Sequence, residues 1–292
     1  MVLLQKLTAR VFGAAAGVGG NPVTIFSGAI PSNLEQSLAK SCNWECVLIG
    51  KLNRLKFFAP SGNELEFCAH AAMGAAYAIH KSVVPTSDTP QVSFQTADGS
   101  HQTAHIMDMD GETTVFLDLQ DFTYRETALP LVNAESLLDQ VGLEMMHVLN
   151  LPKTASLAGR GKTMIQVPLD ILQEETTNPA SAISFENNCT MAQDSTGLYL
   201  FSESNGTYEC RQFPKASGYP EDPATGIAAA ALAVHLSSKQ EIQNVWHFRQ
   251  GTAMGRPSLI TVQNIQHHHD EGKVSLQCGG RVEIDSQEEI RV

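Results

Sequence analysis

The chain has 292 residues, 42% of them hydrophobic and 17% charged, enough to bury a sizeable core as one large domain or as two of about 150 residues. Lys and Arg total 19 against 31 acids, a formal charge of −12, and no basic run or aromatic-basic stripe occurs, so nucleic acid is excluded as a partner. The N-terminal apolar stretch is broken by Lys6 and Arg10, no later run approaches the roughly 20 apolar residues of a membrane span, and six scattered cysteines fit reduced thiols. The expectation is a cytoplasmic protein without disulfides.

In chain order, short segments rich in Val, Ile, Leu and Phe predict strands over Leu3 to Val11, Pro22 to Phe26, Cys46 to Ile49, Leu55 to Phe58, Gln91 to Thr96 and Thr114 to Leu119. The second half repeats the habit at Met164 to Pro168, Gly197 to Phe201, Thr207 to Phe213, Leu259 to Val262 and Lys273 to Leu276, with a last short strand at Arg281 to Ile284. Leu at helical spacing predicts amphipathic helices over Asn33 to Lys40 and Ala134 to Leu143.

Two further segments, Cys68 to His80 and Ala224 to His235, are small or apolar on every face, as expected of helices buried all round. Each follows an acidic stretch (Glu64 and Glu66; Glu221 and Asp222), continues in Ala and ends in Ile-His or Val-His, a weak internal repeat. Two strand-rich halves, each around a central Ala-rich helix, follow from this pattern. The fold class is α+β with pseudo-symmetric halves, and the change from strand to helix pattern near residues 122 to 133 marks the boundary.

The first N–H groups of a helix lack intrahelical partners and attract anions, so two such termini facing one cleft would hold a carboxylate. Ala69 and His70 open the first buried helix, and Thr225 and Gly226 the second; small residues there serve equally for close packing. Glu45 lies beside Trp44 at the edge of an apolar strand, where desolvation suits a carboxyl to general acid/base work, although a solvated strand end is the plainer reading of its position. His70 and Asp222 are open to the same choice between a site role and a local structural one.

The segment FFAPSGNELEFCAHAAMGAA (57–76) resembles the block F-x-P-x-x-E-x-x-F-C-G-H-A-T-x-G-A, and GYPEDPATGIAAAAL (218–232) resembles E-D-P-A-T-G-S-A, both of the phenazine-biosynthesis F-like isomerase family. Gly20-Asn21-Pro22, the Glu45 block, Arg211 with Phe213 and Pro214, and Gln250-Gly251 with Met254 to Ser258 match in the same order. The resemblance covers most of the chain. It implies a fold like that of diaminopimelate epimerase, each half being a curled, mostly antiparallel sheet around a central helix. The halves would be residues 1–125, completed by the last strand around 283–292, and residues 126–282.

The resemblance further implies Glu45 as the acid/base that relocates a proton on a small carboxylate-bearing substrate, with His70 and Asp222 assisting. Asn21, Cys68, Ala69, Ala71, Thr225, Gly226 and Ile227 would line the substrate, with no metal or organic cofactor, in a homodimer. Ala69, Ala72, Glu66 and Ile227 replace the usual Gly, Thr, Pro and Ser. The apolar Ile227 removes a hydroxyl facing the ligand and predicts a substrate other than the phenazine precursor. Two rival readings are a catalytically inactive ligand-binding or protein-interaction module of the same fold, and a cysteine-dependent racemase or epimerase. Cys68 would be one thiol of that racemase, but the position for the second is Pro223.

Several fragments imitate other sites. Gly159-Arg160-Gly161-Lys162-Thr163 ends like a phosphate loop but reads as a turn, and Gly17 to Gly20 lacks the third Gly and the βαβ unit of a nucleotide fingerprint. His267, His268 and His269 read as the rim of a hairpin, since strand neighbours point to opposite faces, and Cys42 and Cys46 read as packing residues.

Overall fold

The computed structural model describes residues 2–82, 91–109, 111–150, 152–157, 160–173, 195–215, 219–238, 243–268 and 272–292. The chain divides into two compact units, Met1–Asp118 with Gly279–Val292, and Leu119–Cys278.

In the first unit, β1 (Leu3–Val11) pairs antiparallel with β2 (Asn21–Ser27), and β2 pairs parallel with β3 (Cys46–Ile49) after the crossover through α1 (Glu35–Lys40). The sheet continues through β4 (Leu55–Phe58) to β5 (Glu64–Leu65). Antiparallel strands β6 (Gln91–Gln95), β7 (His101–Met109) and the first part of β8 (Glu112–Ala128) form a second run. The end of the chain returns as the last part of β15 (Lys273–Arg291), which pairs with β1 from Leu3 opposite Arg291 to Val11 opposite Val282.

Helix α2 (Ala69–Ser82) packs against β1 to β4, β6 and β7. Its small side chains permit this: a Cβ on Gly74 would come within 2.9 Å of Val23 Cγ1 and 3.3 Å of Ile25 Cδ1. Ala71, Ala72, Ala75 and Ala76 are fully buried, as a helix enclosed by strands requires.

In the second unit the rest of β8 pairs with β9 (Lys153–Leu157), followed by β10 (Arg160–Gln166), β11 (Ser195–Ser204), β12 (Thr207–Pro214), β13 (Val245–Gln250), β14 (Ser258–His268) and the first part of β15. The β10–β11 and β12–β13 pairs are parallel and the other registered pairs antiparallel. Helix α5 (Gly226–Ser237) is apolar all round and lies against β9, β10 and β14. Helices α3 (Leu131–Gln140) and α4 (Leu169–Gln173) contribute to a separate apolar cluster with Ile165, Leu198, Leu200 and Phe213.

Two expectations change. The strands expected at Lys273 to Leu276 and Arg281 to Ile284 are one strand, because Gly279 keeps the extended backbone running where a Cβ would meet the Phe116 ring at 2.3 Å. Residues 160–163 of the apparent phosphate loop belong to β10 rather than to a turn, while Gly159 lies outside the described residues. His267 and His268 end β14, which neighbours β15 in the sheet, in line with the expected hairpin rim, and His269 is outside the described residues. None of the five described cysteines is in a disulfide, Cys189 falls outside the described residues, and no described helix is long and apolar enough to cross a membrane.

At the C-terminal end of α5, His235 Nδ1 stands 2.6 Å from Glu126 Oε2, which also accepts from the Tyr124 hydroxyl, while Lys153 Nζ donates to Glu126 Oε1 at 2.9 Å. Partial burial alone would raise the Glu126 carboxyl, but hydrogen bonds from Lys153, His235 and Tyr124 outweigh it and hold the group down from its ordinary 4.5 to about 2. A depressed folded-state value contributes stability that is present above 4.5 and lost as pH falls toward about 2. Chemical denaturation should therefore show wild type more stable than Glu126→Gln at neutral pH, with the gap closing between pH 4.5 and 2. A gap independent of pH would count against this network.

Candidate active site

Glu45 immediately precedes β3, and the backbone already pairs there, with the Thr24 N–H donating to the Glu45 carbonyl at 3.1 Å. Its side chain is buried, at 8% exposure, so the plain reading of a solvated strand end does not hold. His70, on the first turn of α2, is equally buried, and its Nε2 stands 4.0 Å from Glu45 Oε2. Cys68 Sγ lies 3.4 Å from His70 Nδ1, so the three groups form one cluster in the first unit.

Burial pushes the His70 ring down, against the opposing effects of Glu45 and a hydrogen bond to the Pro22 backbone, which leaves the imidazole neutral at neutral pH. That bond ties the cluster to β2, where Asn21 is also buried. Ala69 and Ala71, with His70 between them, lie on the first turn of α2, where the Ala72 N–H is the first to reach a carbonyl one turn back, that of Cys68. The three preceding N–H groups are therefore those a helix leaves for an anion.

A polar cavity of about 410 Å³ in the same unit is lined by Arg10, Tyr77, Thr113, Arg281, Glu283 and Asp285 among others, and by none of the cluster residues. Both of its guanidinium groups stand in ion pairs, Arg10 with Asp285 and Glu283 and Arg281 with Glu112 and Glu283, although Arg281 Nε has no hydrogen-bond partner among the described residues.

In the second unit, Asp222, Thr225, Gly226 and Ile227 meet at the start of α5. Asp222 Oδ2 accepts from the Thr225 hydroxyl at 2.6 Å, and Oδ1 from the Ala224 N–H at 3.3 Å. These bonds set the start of the helix. Replacing Asp222 by Ala should cost about 1 to 2 kcal/mol of stability, read by urea titration, because both donors lose their acceptor; an unchanged midpoint would contradict that role.

Residues that sequence reasoning left without a role complete this corner. The fully buried Gln250 accepts the Thr225 N–H at 3.2 Å and donates through Nε2 to the Asp222 carbonyl at 2.6 Å and to Thr225 Oγ1 at 3.1 Å. Arg211 forms a bidentate pair with Glu221, both contacts 2.8 Å, and lies over the Phe213 ring. The sequence signal for Gln250 was its neighbour Gly251, whose φ of +78° admits a tight turn.

The described thiols of this unit, Cys210 and Cys278, are fully buried, and burial raises both, Cys278 to about 12. Neither is poised to take a proton. Among the described residues no cluster of His, Cys, Asp or Glu could hold a metal ion.

The sequence profile of the family described as phenazine biosynthesis-like protein matches residues 11–284. The trans-2,3-dihydro-3-hydroxyanthranilate isomerase of Pseudomonas chlororaphis is 25% identical over 268 residues, covering 85% of this chain and 86% of that one. Among solved structures, a phenazine biosynthesis protein of Bacillus anthracis aligns over 100% of both chains with a TM-score of 0.79 at 18% identity. A hydroxyproline epimerase of Agrobacterium vitis aligns over 99% of this chain and 91% of its own, with a TM-score of 0.66 at 12% identity, a likeness of fold alone.

Proposed function

The chain belongs to the phenazine biosynthesis-like protein family, and on that premise we propose that it is an isomerase that moves a proton on a small carboxylate-bearing metabolite without a cofactor. The observation that carries this reading is the buried cluster of Glu45, His70 and Cys68, with Glu45 and His70 4.0 Å apart beside the N-terminus of α2.

Glu45, as carboxylate, takes a proton from an activated C–H, and the electron pair left on carbon delocalises into the conjugated acid. The same carboxyl then returns the proton at a second carbon. The N–H groups of Ala69, His70 and Ala71 provide an electrostatic site for the substrate carboxylate and for the charge that builds on it. A neutral His70, 4.0 Å away, orients Glu45 without clamping it in a salt bridge. Asp222 and Gln250 hold Thr225 and the start of α5 in place.

Ile227, 7% exposed on the first turn of α5, points to a substrate other than the one named for the Pseudomonas relatives. The test is a thermal-shift screen of small carboxylates, trans-2,3-dihydro-3-hydroxyanthranilate among them, followed by incubation of each stabilising compound in D2O. The reading requires solvent deuterium to enter at least one of them. A carboxylate that stabilises the protein and never takes up deuterium would favour the binding-module reading instead.

A further inference from the structure

The cavity of about 410 Å³ beside Arg10 and Arg281 touches the far half of α2 from the Glu45 cluster. Tyr77, which lines it, lies two turns beyond His70, about 10 Å along the helix axis. Its charged walls are Arg10 and Arg281 against Glu283 and Asp285. Arg10 is well matched: Nε donates to both oxygens of Asp285 at 2.8 and 2.9 Å, and Nη2 donates to Glu283 at 3.0 Å. Glu283 also accepts the Gly17 N–H at 2.9 Å.

Arg281 is matched less well. Its side chain is 11% exposed and Nη2 pairs with Glu283 Oε1 at 2.9 Å, yet Nε and Nη1 are buried with no hydrogen-bond acceptor among the described residues. The Glu112 carboxylate approaches Nη1 at 2.6 Å, but off the direction of its N–H bonds, and its side chain is 55% exposed. Glu112 therefore neutralises the guanidinium without satisfying it. Buried donors left unmet cost free energy that a better-placed acceptor recovers.

We propose that this cavity is a binding site for a small monocarboxylate, which takes the place of Glu112 on the Arg281 guanidinium while Glu112 swings out to solvent.

The exchange preserves the charge balance, since one carboxylate leaves as another enters. A phosphate dianion would add a second negative charge beside Glu283 and Asp285, where like charges repel. A second donor faces the ligand. The Thr113 hydroxyl lies 2.5 Å from Asp108 Oδ1 and 3.3 Å from the Tyr77 hydroxyl. A carboxylate oxygen only accepts, so the Thr113 proton goes to Asp108, and the Tyr77 proton is the one that turns to the ligand. The volume suits a molecule of metabolite size. The site shares no residue with the Glu45 cluster and does not depend on the isomerase reading.

Fluoroacetate, a monoanion at neutral pH, tests this through the broadening of its fluorine NMR line on titration with the full-length protein. Wild type should give saturable binding. Glu112→Ala should bind about two- to fivefold more tightly, because the competing carboxylate is gone. Arg281→Gln should bind at least about tenfold more weakly, having lost the charged donor, and Tyr77→Phe should also bind more weakly, which keeps the test open if Arg281→Gln does not fold. These dependences should persist in a Glu45→Gln background, which separates this site from the isomerase reading. No saturable binding in wild type or Glu112→Ala would overturn the proposal. So would an affinity that Glu112→Ala leaves unchanged or lowers, wild-type affinity in Arg281→Gln or Tyr77→Phe, or displacement of the probe by inorganic phosphate at lower concentration than by acetate.

Discussion

Replacing Glu45 by Gln is expected to lower proton exchange by at least about 10²- to 10⁴-fold while the fold persists. Gln keeps the size and hydrogen-bonding outline of the side chain, and its backbone carbonyl still accepts the Thr24 N–H, so β2 and β3 retain their pairing. What disappears is the carboxyl proposed to take the proton and to return it. His70 cannot substitute, because its ring is buried and bonded to Pro22. Exchange kinetics together with thermal melting separate the two effects. A variant that melts normally and exchanges at the wild-type rate would remove Glu45 from the chemistry.

Gly251→Ala should be the most damaging small substitution in the second unit. The backbone there has φ +78°, and an added Cβ would lie 2.4 Å from the Arg256 carbonyl oxygen and 2.8 Å from that of Pro223. These are backbone atoms that cannot swing aside. The expected loss is about 1 to 3 kcal/mol from overpacking, with a further cost of roughly 1 kcal/mol for an L-residue in the left-handed region. Because Gln250 precedes it, the shift also withdraws the amide that holds Thr225 and Asp222. Urea denaturation reads the stability loss; a variant as stable as wild type would show that the turn relaxes freely.

Much of the first unit was legible because its punctuation is strong. The strands Cys46–Ile49 and Leu55–Phe58 are apolar runs cut off by Gly50 and Pro60, and the structure places them at those bounds. β7 and β9 escaped notice because His101, Gln102 and Thr103, or Lys153 and Thr154, dilute the apolar signal. β13 carried a readable alternation, with Trp246, Phe248 and Gln250 inside, but His247 and Arg249 masked it. Gly279-Gly280 looked like a break and is a close approach to Phe116 instead.

The site was legible to different depths. The all-small pattern of α2 marked a buried helix, whereas Glu45 read from its position alone as a solvated strand end and entered the site through the resemblance of its block, because the 4.0 Å contact with His70 is set by packing that no local pattern encodes. Asp222 was legible as an acid before a helix, whereas the bonds that fix it depend on Gln250, 28 residues further along the chain.

The central claim, that the carboxyl of Glu45 and not the thiol of Cys68 carries the proton, is tested most directly by deuterium uptake from D2O. Wild type, Glu45→Gln and Cys68→Ser would be measured side by side with the same carboxylate. The account predicts that Cys68→Ser retains exchange within about tenfold of wild type, the scale of one lost contact of roughly 1.4 kcal/mol, while Glu45→Gln loses it. Exchange that survives in Glu45→Gln and vanishes in Cys68→Ser would contradict it.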